Sequence, residues 1–133
     1  MAAAVADYRP AAPLEGKRAK SPEGWTVELE PTVDVLARLG AAERNGQVLV
    51  GFGAEAGETG LDRKRRMLAD KNLDLVVYND VSLPGIGFDV PDNEVTLLSE
   101  LGERRLAKAT KAEIAVGIVD EVERLLEERR GGQ

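Results

Sequence analysis

Residues 47–80 read QVLVGFGAEAGETGLDRKRRMLADKNLDLVVYND, in which two short apolar runs flank a charged segment. The run at 47–52 predicts a buried strand, residues 59–72 predict a basic helix, and the run at 73–78 predicts another buried strand. A strand, a helix and a strand in this order indicate two parallel strands joined by a right-handed crossover. This stretch therefore favours an α/β fold.

The chain downstream of this stretch predicts a hairpin and a helix. Residues 94–99 and 103–108 predict the two strands of the hairpin. Thr110 and Glu113 have the spacing of a capping box, which predicts a helix over residues 111–130. The buried face of that helix would carry Ile114, Ile118, Val122 and Leu125.

The chain upstream predicts further elements of the same fold. The small apolar residues 1–6 predict a buried parallel strand. Residues 10–24 hold three prolines and two glycines, which predict a mobile flap. The alternation at 25–30 predicts a half-exposed strand, and Thr32 can cap a helix that reaches about Glu43.

Together these elements predict a Rossmann-like, three-layer α/β fold with a mostly parallel sheet and a C-terminal β-hairpin and helix. We expect residues 1–133 to form a single domain that carries the flap. The chain opens inside a predicted buried strand and has no Gly-rich strand–turn–helix at its start. We therefore expect the C-terminal half only of a doubly wound sheet, with the N-terminal half missing.

The composition restricts the chemistry. The 133 residues carry a formal net charge of −6 and include neither cysteine nor histidine. Disulfides, thiolate nucleophiles, Ser-His-Asp triads and Cys/His zinc sites are therefore excluded. The acidic balance counts against a nucleic-acid partner, and no apolar run reaches the ~20 residues of a membrane span. We expect a cytoplasmic protein with no nucleic-acid or membrane partner, whose basic run at 63–66 is a solvated helix face.

Polar and glycine-rich residues lie at the ends of the predicted parallel strands. They are Asp7, residues 52–55, Asn79 and Asp80. Ligands of open α/β sheets bind at the carboxyl ends of strands, so we expect these three stretches to share one edge. Gly51 and Gly53 would let a ligand approach the backbone there. Lys, Arg, Asp, Asn and backbone amides suit phosphate and carboxylate chemistry.

A family resemblance is carried by segments spread over most of the chain. They are MAAAVADYRP (1–10), KRAK (17–20), TVDVL (32–36), VGFGAE (50–55), KNLDLVVYNDVS (71–82), PGIGF (84–88) and DN (92–93). Their order and spacing resemble the C-terminal half of phosphopantothenoylcysteine synthetase, also called phosphopantothenate–cysteine ligase. In bacteria this enzyme is usually fused behind a flavin-dependent decarboxylase of coenzyme A biosynthesis.

The resemblance implies a ligase that joins 4′-phosphopantothenate to L-cysteine. CTP with Mg²⁺, or ATP in some lineages, would activate the carboxylate as an acyl-nucleotide (acyl-CMP), and pyrophosphate would leave. The amine of cysteine would then attack the acyl carbon. This route needs no covalent nucleophile, so the missing cysteine and histidine do not prevent it. The resemblance also implies a homodimer.

The same resemblance assigns roles in the first part of the chain. Lys17 would be the catalytic residue facing the triphosphate, because an ammonium group can follow phosphate charge; the alternative is a solvated basic loop. Asp7 would contact the cytosine or the metal, or else cap a loop. Ala3 and Ala4 would offer their backbone to the nucleotide, or else pack in the core.

Further nucleotide contacts are implied in the middle of the chain. Phe52 could stack on or wall the base, or else be a core aromatic residue. Lys71 could reach a phosphate, or else lie on the surface at a helix end. Asn79 and Asp80 could bind a base edge or phosphate and orient a neighbour, or else form an Asx turn. The identity of any metal ligand stays open.

Some positions depart from the family pattern or leave two interpretations open. Gly53 and Ala56 replace an alanine and a threonine, so a threonine hydrogen bond is lost, while Glu55 remains as a metal-linked or structural carboxylate. A small residue is usual where Tyr78 stands, so we expect different packing there. The loop with Gly85, Gly87 and Phe88 would lie near a ligand or partner, or form a simple turn.

The missing half bears on activity. By resemblance, that half holds the Gly-rich nucleotide turn and an asparagine that serves the acyl intermediate. We therefore expect this chain alone to be inactive or nearly so. The alternative is a non-catalytic fragment that binds nucleotide or dimerises.

Overall fold

A computed structural model describes residues 4–82 and 91–131. The chain divides into two compact units, Ala3–Val35 and Leu36–Gln133. The segment predicted as a flap, residues 10–24, lies within the first of these units, and the single domain stays a prediction. Across the described residues, no helix combines the length and the apolar character needed to cross a membrane.

The first unit is built on a short antiparallel ribbon. Its strands are β1 (Tyr8–Pro10) and β2 (Leu29–Pro31). The Thr32 amide donates to the Asp7 carbonyl over 2.8 Å, and an ion pair of 2.7 Å joins Arg9 to Glu30. These bonds close the base of the flap.

Two strand predictions in this unit are wrong. Residues 4–6 are exposed and lie outside any strand, and strand structure in the predicted segment 25–30 is confined to its last two residues. Small alanine side chains bury little apolar surface, and a two-stranded ribbon is only marginally stable without a third strand or a helix. Trp25 and Val27 accordingly remain exposed.

The second unit contains a four-stranded sheet. Its strands are β3 (Val50–Glu55), β4 (Leu75–Asp80), β5 (Asp92–Ser99) and β6 (Gly102–Thr110), in that spatial order. β3 and β4 pair in parallel, and β5 is antiparallel to both of its neighbours. Three of the four strands therefore point the same way, although one pairing alone is parallel. The predicted α/β class and C-terminal hairpin are confirmed.

Three helices accompany the strands. They are α1 (Val35–Ala41), α2 (Gly57–Asp70) and α3 (Lys111–Gly131). The prediction for α1 is wrong in length: the Thr32 hydroxyl donates to the Ala6 carbonyl over 2.5 Å, so the helix starts later. At its other end, Gly40 leaves no room for a side chain, because a Cβ would lie 1.8 Å from the Lys71 carbonyl oxygen.

Two cores cover the two faces of the sheet, because successive β4 side chains alternate between them. One contains Leu36, Leu73, Val76, Tyr78 and Leu98, with Leu61, Met67 and Leu68 of α2 against it. The other contains Leu75, Val77, Val95, Leu97, Ile114 and Leu125, with Ile118 and Val122 of α3 against it. The predicted three layers and the predicted buried face of the last helix are confirmed. Each buried Leu or Val contributes about 1.5–3 kcal/mol.

Candidate functional site

The carboxyl ends of β3 and β4 lie side by side. In the parallel register Ala54 is opposite Asn79 and Glu55 is opposite Asp80. Two of the three polar stretches predicted to share a sheet edge therefore do so. Asn79 and Asp80 are the last residues of β4 rather than the start of a loop, because pairing with β3 continues to its end.

Glu55 is tied to helix α2. One carboxylate oxygen lies 2.5 Å from the Lys64 ammonium, and the other lies 2.7 Å from the Arg63 guanidinium. The hydrogen bond from Lys64 lowers the pKa of Glu55 below its ordinary value, against the opposing effect of burial. Of its two predicted roles, metal-linked or structural, these ion pairs favour the structural one.

Asp80 organises the turn that follows its strand. Its Oδ1 accepts hydrogen bonds from the Ser82 hydroxyl at 2.6 Å, the Ser82 amide at 2.9 Å and the Gly57 amide at 3.1 Å. The hydroxyl bond is the main cause of a lowered Asp80 pKa. The bonds to Ser82 are those of an Asx turn, the structural alternative for this residue.

Tyr78 anchors the start of α2 to the sheet, a role that the sequence did not reveal beyond the expected change in packing. Its hydroxyl donates to the Gly57 carbonyl at 2.8 Å and the Glu55 carbonyl at 3.1 Å. Gly60 allows this approach, since a Cβ there would lie 2.9 Å from the Tyr78 oxygen. Burial raises the Tyr78 pKa, so the hydroxyl keeps its proton and stays a donor.

Protein side chains fill the space beside the two glycines predicted to admit a ligand. A Cβ at Gly51 would lie 2.7 Å from Met67 and 2.9 Å from Leu73, and one at Gly53 would lie 2.2 Å from Lys64. Both glycines therefore accommodate α2 and the core on that face. The expectation of a ligand against Gly51 and Gly53 is wrong for the α2 face.

The opposite face of the same edge carries Phe52 and Asn79. Phe52 is in register with Val77, and Asn79 lies two residues beyond Val77, so both point to the α3 side of the sheet. The Phe52 side chain is 49% exposed. The Asn79 Oδ1 is buried and, within the described residues, accepts no hydrogen bond. A buried acceptor without a donor calls for a partner, so this face is the better candidate for ligand binding.

Lys71 is not brought to this edge. It follows the last turn of α2, whose first turn adjoins the carboxyl end of β3. A helix of 14 residues rises roughly 20 Å. Lys71 therefore lies at the amino end of β4, at the far end of the sheet from Asn79.

The remaining predicted site residues fall in the first unit or outside the described residues. Ala4, Asp7 and Lys17 are exposed. The Asp7 carbonyl accepts from the Thr32 amide at the base of the ribbon. Ala3 and the loop with Gly85, Gly87 and Phe88 lie outside the residues that the structure describes.

Comparison with protein families decides the relationship. Residues 1–126 match the model of the DNA/pantothenate metabolism flavoprotein C-terminal domain. The chain belongs to this family. The resemblance drawn from the sequence motifs is confirmed.

Two relatives of this chain share the name coenzyme A biosynthesis bifunctional protein CoaBC. The coenzyme A biosynthesis bifunctional protein CoaBC of Bacillus subtilis (strain 168) is 40% identical over 121 residues, which cover 90% of this chain and 29% of the relative. CoaBC of Mycobacterium bovis (strain ATCC BAA-935 / AF2122/97) is 40% identical over 132 residues, covering 92% and 31%. The chain thus spans about 30% of these relatives.

A solved structure supports the fold of this family member. The crystal structure of the C-terminal domain of CoaBC superposes with a TM-score of 0.67 at 33% identity. The match covers 95% of this chain and 53% of that chain. The α/β arrangement described above therefore matches the fold of about half of the CoaBC C-terminal domain.

The described residues offer this family domain no resident metal site. Across residues 4–82 and 91–131, no group of three acidic side chains is placed to hold a metal ion. Glu55 and Asp80 lie on neighbouring strand ends, and protein donors engage both Glu55 carboxylate oxygens and the Asp80 Oδ1. Any divalent ion would need most of its ligands from elsewhere.

Proposed function

We propose that this chain belongs to the ligase that joins 4′-phosphopantothenate to L-cysteine in coenzyme A biosynthesis. The observation that carries the proposal is the identity of 40% to CoaBC proteins over 90% or more of the chain. Because the chain spans about 30% of those relatives, the activity is proposed for the whole protein. A cytoplasmic location and a homodimer stay predictions.

The proposed reaction has two steps. The 4′-phosphopantothenate carboxylate attacks the α-phosphorus of CTP, which forms acyl-CMP and releases pyrophosphate. The cysteine amine then attacks the acyl carbon, loses a proton and displaces CMP. Both steps depend on positioning and on stabilisation of developing negative charge. ATP is the alternative nucleotide.

Lys17 is proposed to face the triphosphate of the nucleotide. Its side chain is exposed on the flap, so its ammonium group is accessible to an anion. A compact ammonium charge stabilises phosphate oxygens as negative charge moves to the leaving pyrophosphate. Asp7, at the base of the same ribbon, is proposed to contact the cytosine.

Phe52 and Asn79 are proposed to meet the ligand on the α3 side of the sheet edge. The exposed Phe52 ring can wall a planar base. The unsatisfied Asn79 Oδ1 can accept from an exocyclic amino group or a ligand amide. We leave Lys71 out of this proposed site, because it lies at the other end of α2.

Mg²⁺ is proposed to enter with the nucleotide. This ion usually keeps several waters and binds through one or two carboxylates together with substrate phosphates. The described residues provide no three-carboxylate cluster, which fits an ion carried by the nucleotide better than a resident one.

Calorimetric titration of the chain with CTP and, separately, with ATP tests the nucleotide proposal. We expect saturable CTP binding, weakened about tenfold by Lys17→Gln, because a charge-assisted hydrogen bond is lost. Lys20→Gln is the matched control, since it removes the same charge from the same flap. If Lys20→Gln weakens CTP binding as much as Lys17→Gln does, the flap acts as a diffuse basic surface and Lys17 has no specific role.

The chain alone is proposed to release little pyrophosphate even when it binds CTP. Robust turnover with 4′-phosphopantothenate and cysteine would contradict that expectation and support a self-sufficient ligase. CTP binding without turnover, even when the remaining CoaBC segments are supplied, would favour the alternative of a non-catalytic nucleotide-binding fragment.

A further inference from the structure

The single tryptophan of the chain, Trp25, directly follows the flap and contacts a cation that belongs to it. The Arg18 guanidinium carbon lies 4.4 Å from the centroid of the Trp25 ring, within the range of a cation–π interaction. Trp25 is nevertheless 57% exposed, so burial does not account for its position. Arg18 directly follows Lys17, the residue proposed to face the triphosphate.

The contact joins the two limbs of the long connection between β1 and β2, whose tip and outgoing limb form the flap. The outgoing limb runs from β1 to Lys20, and the returning limb runs from Trp25 into β2. Their base is closed by the Ala11 amide, which donates to the Glu28 carbonyl over 3.0 Å. Above that bond, a cavity of about 350 Å³ separates the limbs. Its lining includes Ala11, Leu14 and Arg18 on one side and Trp25, Val27 and Glu28 on the other.

The limb that carries Lys17 has little else to hold it. Gly16 has a φ of +81°, so a left-handed turn directly precedes Lys17. Above the Ala11–Glu28 bond, no ion pair or side-chain hydrogen bond is described between the two limbs in residues 11–28. A lysine on an unrestrained loop loses conformational entropy when it binds, which weakens the affinity for its ligand.

We propose that Trp25 is a positioning residue for Lys17, acting through its stacking contact with Arg18. The contact holds the outgoing limb against the returning one and so presents the Lys17 ammonium group to a nucleoside triphosphate. This inference rests on the proposed function of Lys17 and adds a residue to it. Trp25 itself touches no reacting atom in this arrangement.

A double-mutant cycle on the full chain, read by calorimetry with CTP, tests whether Trp25 acts through Lys17. We expect Trp25→Leu to weaken CTP binding about two- to fivefold, as the loss of an exposed cation–π contact implies. Trp25→Phe, which keeps an aromatic face for Arg18, should restore most of the affinity. In a Lys17→Gln background, Trp25→Leu should have no further effect.

Val33→Ala is the matched control, because it removes another exposed apolar side chain from the same unit. The inference is overturned if Trp25→Leu weakens binding equally with and without Lys17, or leaves the affinity of the native chain unchanged. It is also overturned if Trp25→Phe behaves like Trp25→Leu.

A second measurement separates this inference from the proposed function. If the native chain binds no CTP, the proposed function fails, and the ¹⁵N heteronuclear NOE of the Lys17 amide then decides the positioning role. A lower NOE in Trp25→Leu but not in Trp25→Phe supports it. An unchanged NOE in both variants rejects it.

Discussion

At the scale of single residues, the edge formed by β3 and β4 uses its two faces differently. On the α2 side, Glu55 and Asp80 are engaged by Lys64, Ser82 and the backbone of Gly57. On the α3 side, an exposed aromatic ring and an unsatisfied amide oxygen stand together. Side chains that complete the fold are thus segregated from those that can bind a ligand.

The Tyr78 hydroxyl gives the first prediction at this scale. Tyr78→Phe removes the bonds to the Glu55 and Gly57 carbonyls and should lower the free energy of unfolding by about 1 kcal/mol. Urea denaturation followed by circular dichroism measures the change. Tyr8→Phe, at a side chain that is 60% exposed, should leave stability unchanged. An equal loss of unfolding free energy in both variants would show that the Tyr78 hydroxyl does not anchor α2.

Glu121 gives a pH-dependent prediction. This carboxylate is 2% exposed and pairs with Arg124 and Arg104, and the Arg124 hydrogen bond lowers its pKa below the ordinary value. A lowered folded-state pKa contributes stability above the unfolded-state pKa, and that contribution is lost as the pH falls through the folded-state value. The carboxylate therefore stabilises the fold at neutral pH and not in acid.

The stability gap between the native chain and Glu121→Gln should accordingly be largest near about pH 7 and narrow towards about pH 3. Urea titrations across this range measure it. Glu123→Gln, at an exposed carboxylate on the same helix, is the matched control and should show a smaller stability gap near neutral pH. A gap for Glu121→Gln that stays constant across the range would show that its ionisation is not linked to folding.

At the scale of elements, helix α3 begins with a reciprocal capping box. The Thr110 hydroxyl donates to the Glu113 carboxylate over 2.6 Å and accepts from the Glu113 amide over 3.3 Å, and the same carboxylate accepts from the Thr110 amide. Thr110→Ala should lower the urea midpoint by about 0.5 M, whereas Thr110→Ser should retain the native midpoint. Equal midpoints for the two variants would show that the cap does not stabilise α3.

Elements with local signals could be predicted from the sequence. The capping box and the apolar positions from Ile114 to Leu125 belong to α3 itself, and the β5–β6 hairpin needs contacts only between neighbours in sequence. Strand β4 could be placed from its apolar run, but its true end could not. Asn79 and Asp80 stay in the strand because β3 provides pairing partners, and no local pattern encodes that.

The errors have the same physical origin. Thr32 has a capping side chain, but its hydroxyl donates a hydrogen bond to the Ala6 carbonyl, which is distant in sequence. Helix α1 therefore starts at Val35. Gly51 and Gly53 look like ligand-approach positions until Met67 and Lys64 are seen against them. The open Asn79 oxygen likewise depends on tertiary contacts. The sequence could nominate residues as candidates for the site, but it could not predict which side chains and backbone groups contact them in the fold.

At the scale of the whole molecule, a cluster of ion pairs and hydrogen bonds braces the sheet unit at the end opposite the candidate site. Asp74 accepts from the Arg44 guanidinium at 2.7 Å and the Leu49 amide at 2.6 Å, and it also pairs with Arg129 near the end of α3. Arg129 further donates to the Gln47 carbonyl over 2.9 Å. This cluster ties the start of the sheet to the last helix.

The most direct measurement uses a chimera in which this chain replaces its homologous segment in CoaBC of Bacillus subtilis. With CTP, 4′-phosphopantothenate and cysteine, we expect pyrophosphate release that requires all three substrates. Lys17→Gln should reduce it on the order of a hundredfold, while Lys20→Gln should not. A chimera that folds, as judged by circular dichroism, yet releases no pyrophosphate would show that this chain does not serve the ligase. Release that is insensitive to Lys17→Gln would show that Lys17 does not face the triphosphate.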